Sequence, residues 1–211
     1  MQTILETLEA RYPDLEVCIA DINQAFMILR DAFAKGNKLL VCGNGGSASD
    51  SQHIVGELMK GFELNRPISA EMREKLIQQN PENGMYLAEK LQGALPAIAL
   101  TTHSALISAI SNDVASDMVF AQQVYGYGQA GDVLLGISTS GNSKNVLNAI
   151  YVAKSLGFQT IGLTGQTGGK MSDLCDVTIC VPYDTTVAIQ ERHLPVYHAL
   201  CRLLEQEFFY D

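Results

Sequence analysis

Two short loops hold the residues best suited to chemistry. Gly43-Asn44-Gly45-Gly46-Ser47 and Ser138-Thr139-Ser140-Gly141-Asn142-Ser143 each follow an apolar run and open a stretch with helical spacing. A phosphate needs several short donors converging on it. Ser and Thr hydroxyls supply some; backbone N–H groups exposed by Gly and by a helix start supply the rest, aided by the helix dipole. No Lys is required. A lone Gly/Ser loop is about as often an ordinary capped turn, but six consecutive small polar residues after a strand favour anion binding. Neither loop reads G-x-x-x-x-G-K-[ST] or G-x-G-x-x-G, so nucleoside triphosphate hydrolysis and dinucleotide chemistry lose their usual support. G-x-S-x-G is also absent, which leaves a hydrolase nucleophile elbow unsupported.

The reactive side chains lie on the helices around these loops. His53 and Glu57 are four residues apart after GNGGS, so they share one helical face. In isolation that pair reads as a surface hydrogen bond; its place one turn beyond a phosphate loop favours a functional role. Gln190 and His198 fall on a C-terminal helix, eight residues apart. Eight residues rise about 12 Å and turn about 80° out of phase. The two meet at one point only by reaching toward each other or by serving different subunits. Pro195 between them removes a backbone donor and is expected to kink the helix. His193 reads as structural and His103 as a polar cap.

These loops need a frame. Apolar runs ending in glycines or small polar residues predict buried parallel strands at 38–42, 96–100, 132–137, 159–164 and 177–181. Helical periodicity predicts helices over 14–35, 47–60, 143–156 and 186–208, helical segments through about 104–127, and a shorter helix before Pro13. Residues 68–94 are polar and helix-favouring, broken at Asn80-Pro81 and Asn83-Gly84. They read as an inserted helical hairpin, either exposed or acting as a lid with Arg73, Lys75 or Lys90 reaching inward. The expected architecture is α/β: one domain over 1–211, a doubly wound, flavodoxin-like five-stranded parallel sheet flanked by helices. Long terminal helices, including an N-terminal helical segment 1–36, suit self-association. Ligands in such folds sit beyond the carboxyl ends of the strands.

Composition agrees. With 211 residues, 47% hydrophobic and 18% charged, the chain can bury a substantial core. A formal net charge of −9 argues against nucleic acid as a partner. No run reaches the apolar length of a membrane span. The five Cys lack C-x-x-C spacing and read as reduced thiols, and the opening stretch MQTILETLEARYPDLE lacks the apolar core of a signal peptide. A cytoplasmic location is the expectation.

GNGGSASDSQH, GDVLLGI followed by STSGNS, NRP at 65–67, PAIAL at 96–100, SND at 111–113, LTGQTGGKM at 163–171 and IQERH at 189–193 together resemble the sugar isomerase (SIS) domain family. Within it the chain looks most like the phosphoheptose isomerases, which interconvert sedoheptulose 7-phosphate and a glycero-manno-heptose 7-phosphate. The likeness covers nearly the whole chain outside 68–94. It implies a phosphate site of Asn44, Gly45, Gly46, Ser47, Ser138, Thr139, Ser140 and Ser143, with Asp113 and Gln190 as further substrate contacts. It implies Glu57 as base and His198 as acid in an enediol mechanism. It also implies Zn²⁺ held by His53, Glu57, Gln190 and His198, and a homotetramer with interfacial active sites. Val187 stands where family members often carry Asp, three residues before the Gln, which puts part of the heptose contact in doubt. Two alternatives stay open: an isomerase of another sugar phosphate, and a non-catalytic SIS scaffold of the kind that associates with a replication initiator.

Overall fold

The computed structural model describes residues 2–210. Its frame is a five-stranded, all-parallel sheet of β1 (Leu39–Gly43), β2 (Ala97–Ala99), β3 (Val133–Ile137), β4 (Gln159–Thr164) and β5 (Val177–Cys180). The strand order is β2-β1-β3-β4-β5. Leu39 to Gly43 pair in register with Val133 to Ile137, so β1 and β3 end side by side. The winding reverses between these two strands, and the crevice beyond such a reversal is where α/β sheets bind ligands.

Alternation along the strands divides the core. Leu39, Val41, Leu135 and Ile137 join a cluster with α1 (Gln2–Arg11), α2 (Ile19–Ala34), α3 (Gly46–Met59) and α10 (Thr186–Phe209). Leu40, Cys42 and Leu134 join a second cluster with α6 (Ser104–Asp113), α7 (Val119–Tyr127) and α8 (Lys144–Ser155). Both faces are therefore covered, as near-continuous apolar strands demand. All five cysteines are free, and burial pushes the Cys18 thiol up to about 12.

Three expectations are refined in detail. The predicted helix 14–35 starts as a 3₁₀ turn, Pro13–Cys18, and becomes α-helical only at Ile19. The helical segments expected through 104–127 are α6 and α7, separated at Val114–Met118 by a break and a short 3₁₀ turn. The inserted hairpin is α4 (Ala70–Gln79) and α5 (Gly84–Lys90), closed at its base by a bridge between Pro67 and Gln92. Arg73 donates to Met85 Sδ and Lys75 pairs with Glu71, so both cations are used within the hairpin rather than reaching inward. The α10 helix runs unbroken through Pro195. A short α9 (Met171–Leu174) precedes β5.

His193 is fully buried, with Nε2 3.2 Å from the Thr164 carbonyl at the end of β4. Burial lowers its imidazole to about 4, so the folded protein holds it neutral. The unfolded chain binds that proton near the ordinary histidine value of about 6.5. Stability from this group is thus full above that value and falls as pH drops toward 4. The expected loss is about 2 kcal/mol by pH 5. Urea melts at pH 7 and pH 5 should show that extra loss in the parent and not in His193→Gln; equal losses in both would refute it.

Candidate active site

Three helices begin at one cleft. The loop after β1 leads through Gly45 into α3, the loop after β3 leads through Ser143 into α8, and Thr185 leads into α10. None of these starts carries a side-chain cap. The cleft is lined by Asn44, Gly45, Gly46, Ser47, Ser138, Thr139, Ser143, Thr186 and Gln190. Uncapped helix starts leave N–H groups free, and their dipoles add a positive field where it counts most, in the first turn. Ser138 Oγ and Ser143 Oγ lie 2.9 Å apart across the loop. Ser140 is exposed and its Oγ accepts from the Asn142 amide, while Asn44 forms a reciprocal amide pair with Asn145, both bonds 2.9 Å. Sequence reasoning missed Asn145 and Thr186; each is a polar residue in the first turn of its helix, which was the available signal.

Two glycines are required by the loop geometry. Gly141 has φ +63° and a Cβ there would lie 1.9 Å from the Gly168 carbonyl oxygen. A Cβ on Gly46 would meet Gln190 Nε2 at 2.6 Å. Gln190 therefore sits directly over the start of α3.

The reactive side chains lie further along the same two helices. Gly46 faces Gln190, His53 touches Tyr197, and the amide of Phe62 bonds Glu205; these pairs differ by 144, 144 and 143 in residue number. The helices α3 and α10 thus run parallel with a nearly constant offset. His53 Nε2 is 3.3 Å from Glu57 Oε1, and the His198 ring stands edge-on to His53 with centroids 5.0 Å apart. Phe62 packs on the other side of His198 at 5.3 Å. His198 Nε2 is buried with no hydrogen-bond partner. Burial, and next the neighbouring His53, hold the His198 imidazole below its ordinary value.

The structure thus brings His53, Glu57 and His198 together. It keeps Gln190 at the anion cleft, about 10 Å up the helix pair, counting the seven residues from Gly46 to His53. Asp113 ends α6, exposed, and accepts from the Asn112 amide rather than facing the cleft. Two imidazoles and a carboxylate suit Zn²⁺ in donor type, and the unpartnered His198 Nε2 is the atom such an ion would satisfy. As placed, no three His, Cys, Asp or Glu groups among the described residues stand at ligating distance. No helix among the described residues is long and apolar enough to cross a membrane.

This fold and site have known counterparts. The family model described as SIS domain matches residues 15–91 and 83–165. The phosphoheptose isomerase of Aliarcobacter butzleri is 41% identical over 206 residues, covering 98% of this chain and 92% of its own length. That of Geotalea daltonii is 43% identical over 182 residues, covering 86% and 81%. Solved phosphoheptose isomerases from Neisseria gonorrhoeae and Francisella tularensis superpose with TM-scores of 0.74 and 0.76, at 35% and 32% identity, over 95% of this chain and 94% and 93% of theirs. The chain belongs to the SIS domain family. It is one of that family's enzymes, an intramolecular aldose–ketose isomerase.

Gly46→Ala and Gly141→Ala separate the loop's two demands. In the first, the obstructing atom is the free end of a flexible side chain; in the second it is backbone. Gly46→Ala should keep its Tm within a few degrees while KM for a sugar phosphate rises about tenfold, a loss of about 1.4 kcal/mol in binding. Gly141→Ala should lower Tm clearly. Thermal melts and steady-state kinetics on both variants check this; an unchanged KM in Gly46→Ala would contradict the placement of the phosphate.

Proposed function

We propose that this isomerase converts sedoheptulose 7-phosphate to D-glycero-D-manno-heptose 7-phosphate, with Glu57 as base and His198 as proton carrier. A sugar-phosphate substrate is the reading that the relatives' activity supports. The parallel register of α3 and α10 carries the finer proposal. It sets His198 about 12 Å beyond Gln190 on α10 and Glu57 about 16 Å beyond Gly46 on α3, with helical side chains leaning back toward the cleft end. Six C–C bonds of about 1.5 Å, extended and ending in a phosphate ester, span about 10 Å, and side chains leaning back toward the cleft cover the remainder. A three- or four-carbon sugar phosphate anchored in the same cleft falls short of the reactive pair.

The steps follow from the residues. Glu57 takes a proton from C1, the C1–H electrons form the C1=C2 bond, and the carbonyl electrons pass to O2. His198, neutral because its imidazole is held low, takes the proton of O1 and delivers one to O2. The O1–H bond electrons then form the C1=O1 carbonyl, while the C1=C2 electrons take up the proton that Glu57 returns to C2. Base and carrier finish as they began, which suits groups positioned for general acid–base work. His53, Glu57 and His198 would hold zinc, and the bound ion would polarise the sugar carbonyl. Gln190 contacts the substrate near its phosphate rather than joining this set within one chain. A homotetramer, in which a neighbouring subunit completes the site, is part of the same proposal.

Incubation of the metal-analysed protein with sedoheptulose 7-phosphate, followed by NMR, should show an aldose phosphate appearing. Glu57→Gln should lower kcat by about 10²–10⁴-fold with the fold intact. A folded, zinc-loaded parent that leaves this substrate unchanged would overturn the heptose assignment and point to another sugar phosphate, as Val187 beside the cleft would allow.

A further inference from the structure

Tyr197 precedes His198 on α10 and is almost wholly buried, yet its hydroxyl is not idle. Tyr197 Oη lies 3.0 Å from His53 Nδ1 and 3.2 Å from Asp50 Oδ1. Asp50 and His53 are neighbouring turns of α3, so one phenol bridges two residues of the facing helix. The proton count across this bridge is fixed by chemistry. A phenol has one proton to give, and the carboxylate of Asp50 can only accept it. The phenol oxygen must then accept from His53, so Nδ1 carries the imidazole proton. In the neutral ring, that leaves Nε2 as a lone pair, aimed at Glu57 Oε1 3.3 Å away.

We propose that Asp50 and Tyr197 are positioning residues that hold His53 as its Nδ1–H tautomer and present the Nε2 lone pair to the space shared with Glu57 and His198. Two acceptors facing each other at this distance repel unless a cation or a proton lies between them. The bridge thus prepares the pair to take a positive ion, and this consequence rests on the zinc reading above. The tautomer itself does not depend on it. The edge-on packing of the Tyr197 ring against both histidines, with centroids 5.4 and 5.1 Å away, holds the three rings in one cluster.

The test reads the imidazole directly. Metal-free protein carrying ¹⁵N-histidine is examined by long-range ¹H–¹⁵N correlation at neutral pH, with the four histidines assigned by single substitution. The parent should show a proton on His53 Nδ1, with Nε2 bare or, while no metal stands between it and Glu57, protonated as well. Tyr197→Phe and Asp50→Ala should each lose that pattern, moving the proton to Nε2 or mixing the tautomers. Asp50→Asn keeps an acceptor and should restore it in part. Zinc affinity, measured by competition with a chelating dye, should fall about 10–100-fold in Tyr197→Phe and Asp50→Ala. Asp50 lies at the outer end of the bridge, so its variant keeps the test decisive if Tyr197→Phe folds poorly. A parent His53 with a bare Nδ1, the Nε2–H tautomer, would overturn the proposal, as would variants with the parent's spectrum. A parent with the expected tautomer that binds no zinc would sink the metal reading and leave the positioning role standing.

Discussion

The structure turns on a buried ion pair. Arg66 and Glu205 are almost wholly inaccessible and meet at 2.7 Å. Burial alone would raise the Glu205 carboxyl; the amides of Phe62 and Glu63 and the Arg66 guanidinium outweigh it and hold the group below its usual range. Leu64 donates a further amide to the same carboxylate. The remaining guanidinium nitrogens of Arg66 donate to the carbonyls of Leu58 and Glu57, and Phe209 covers the guanidinium at 4.6 Å. A buried pair of charges is tolerable only when its polar atoms are matched, and here each guanidinium nitrogen and each carboxylate oxygen has a partner. What the pair fixes is geometric. It ties the last carbonyls of α3, including that of Glu57 itself, to the far end of α10. The offset between the two helices is thereby set at one end by a charged lock and at the other by Gln190 over Gly46.

From that lock the reactive cluster follows. Glu57 cannot slide relative to His198 without breaking several charge-assisted bonds at once. The turn after α3 that carries Phe62 against His198 is held by the same carboxylate. The inserted hairpin leaves the chain just beyond Arg66 and returns at Gln92, whose side chain accepts from the Gly61 amide. An insertion there disturbs nothing upstream because its stem is closed by the lock and by the Pro67–Gln92 bridge. That explains how one segment can be compositionally foreign while the site beside it keeps its geometry.

Much of this was legible in the sequence, and the division is physical. The five strands announce themselves because each is buried on both faces and ends in small residues that turn toward a helix. The two Gly/Ser loops were legible for the same reason, since they occupy those ends. His53 and Glu57 were legible as a helical pair. The unreadable parts are contacts without local pattern. Arg66 and Glu205 lie 139 residues apart, and Tyr197 lies 147 from Asp50. Nothing near Tyr197 distinguishes it from an ordinary core aromatic; only the alignment of α3 with α10 gives its hydroxyl two partners. Pro13 misled in the opposite way: the apolar spacing after it is helical, but the first turn it starts is tighter than an α-helix.

Parallel packing of α3 and α10 also suits an acidic protein with a net charge of −9 to holding an anion. Parallel helices start at the same end, so both direct their free amides into one cleft, and α8 adds a third start from across the β1–β3 reversal. The positive field of a helix start fades within about one turn. His53 and Glu57 on α3 and His198 on α10 stand two to three turns further on, beyond the reach of that field. The molecule therefore separates its two electrostatic tasks along a single pair of helices. Backbone dipoles fixed by the fold suit one end of the pair to an anion, while the proposed proton-exchanging side chains stand at the other, where those dipoles no longer bias them.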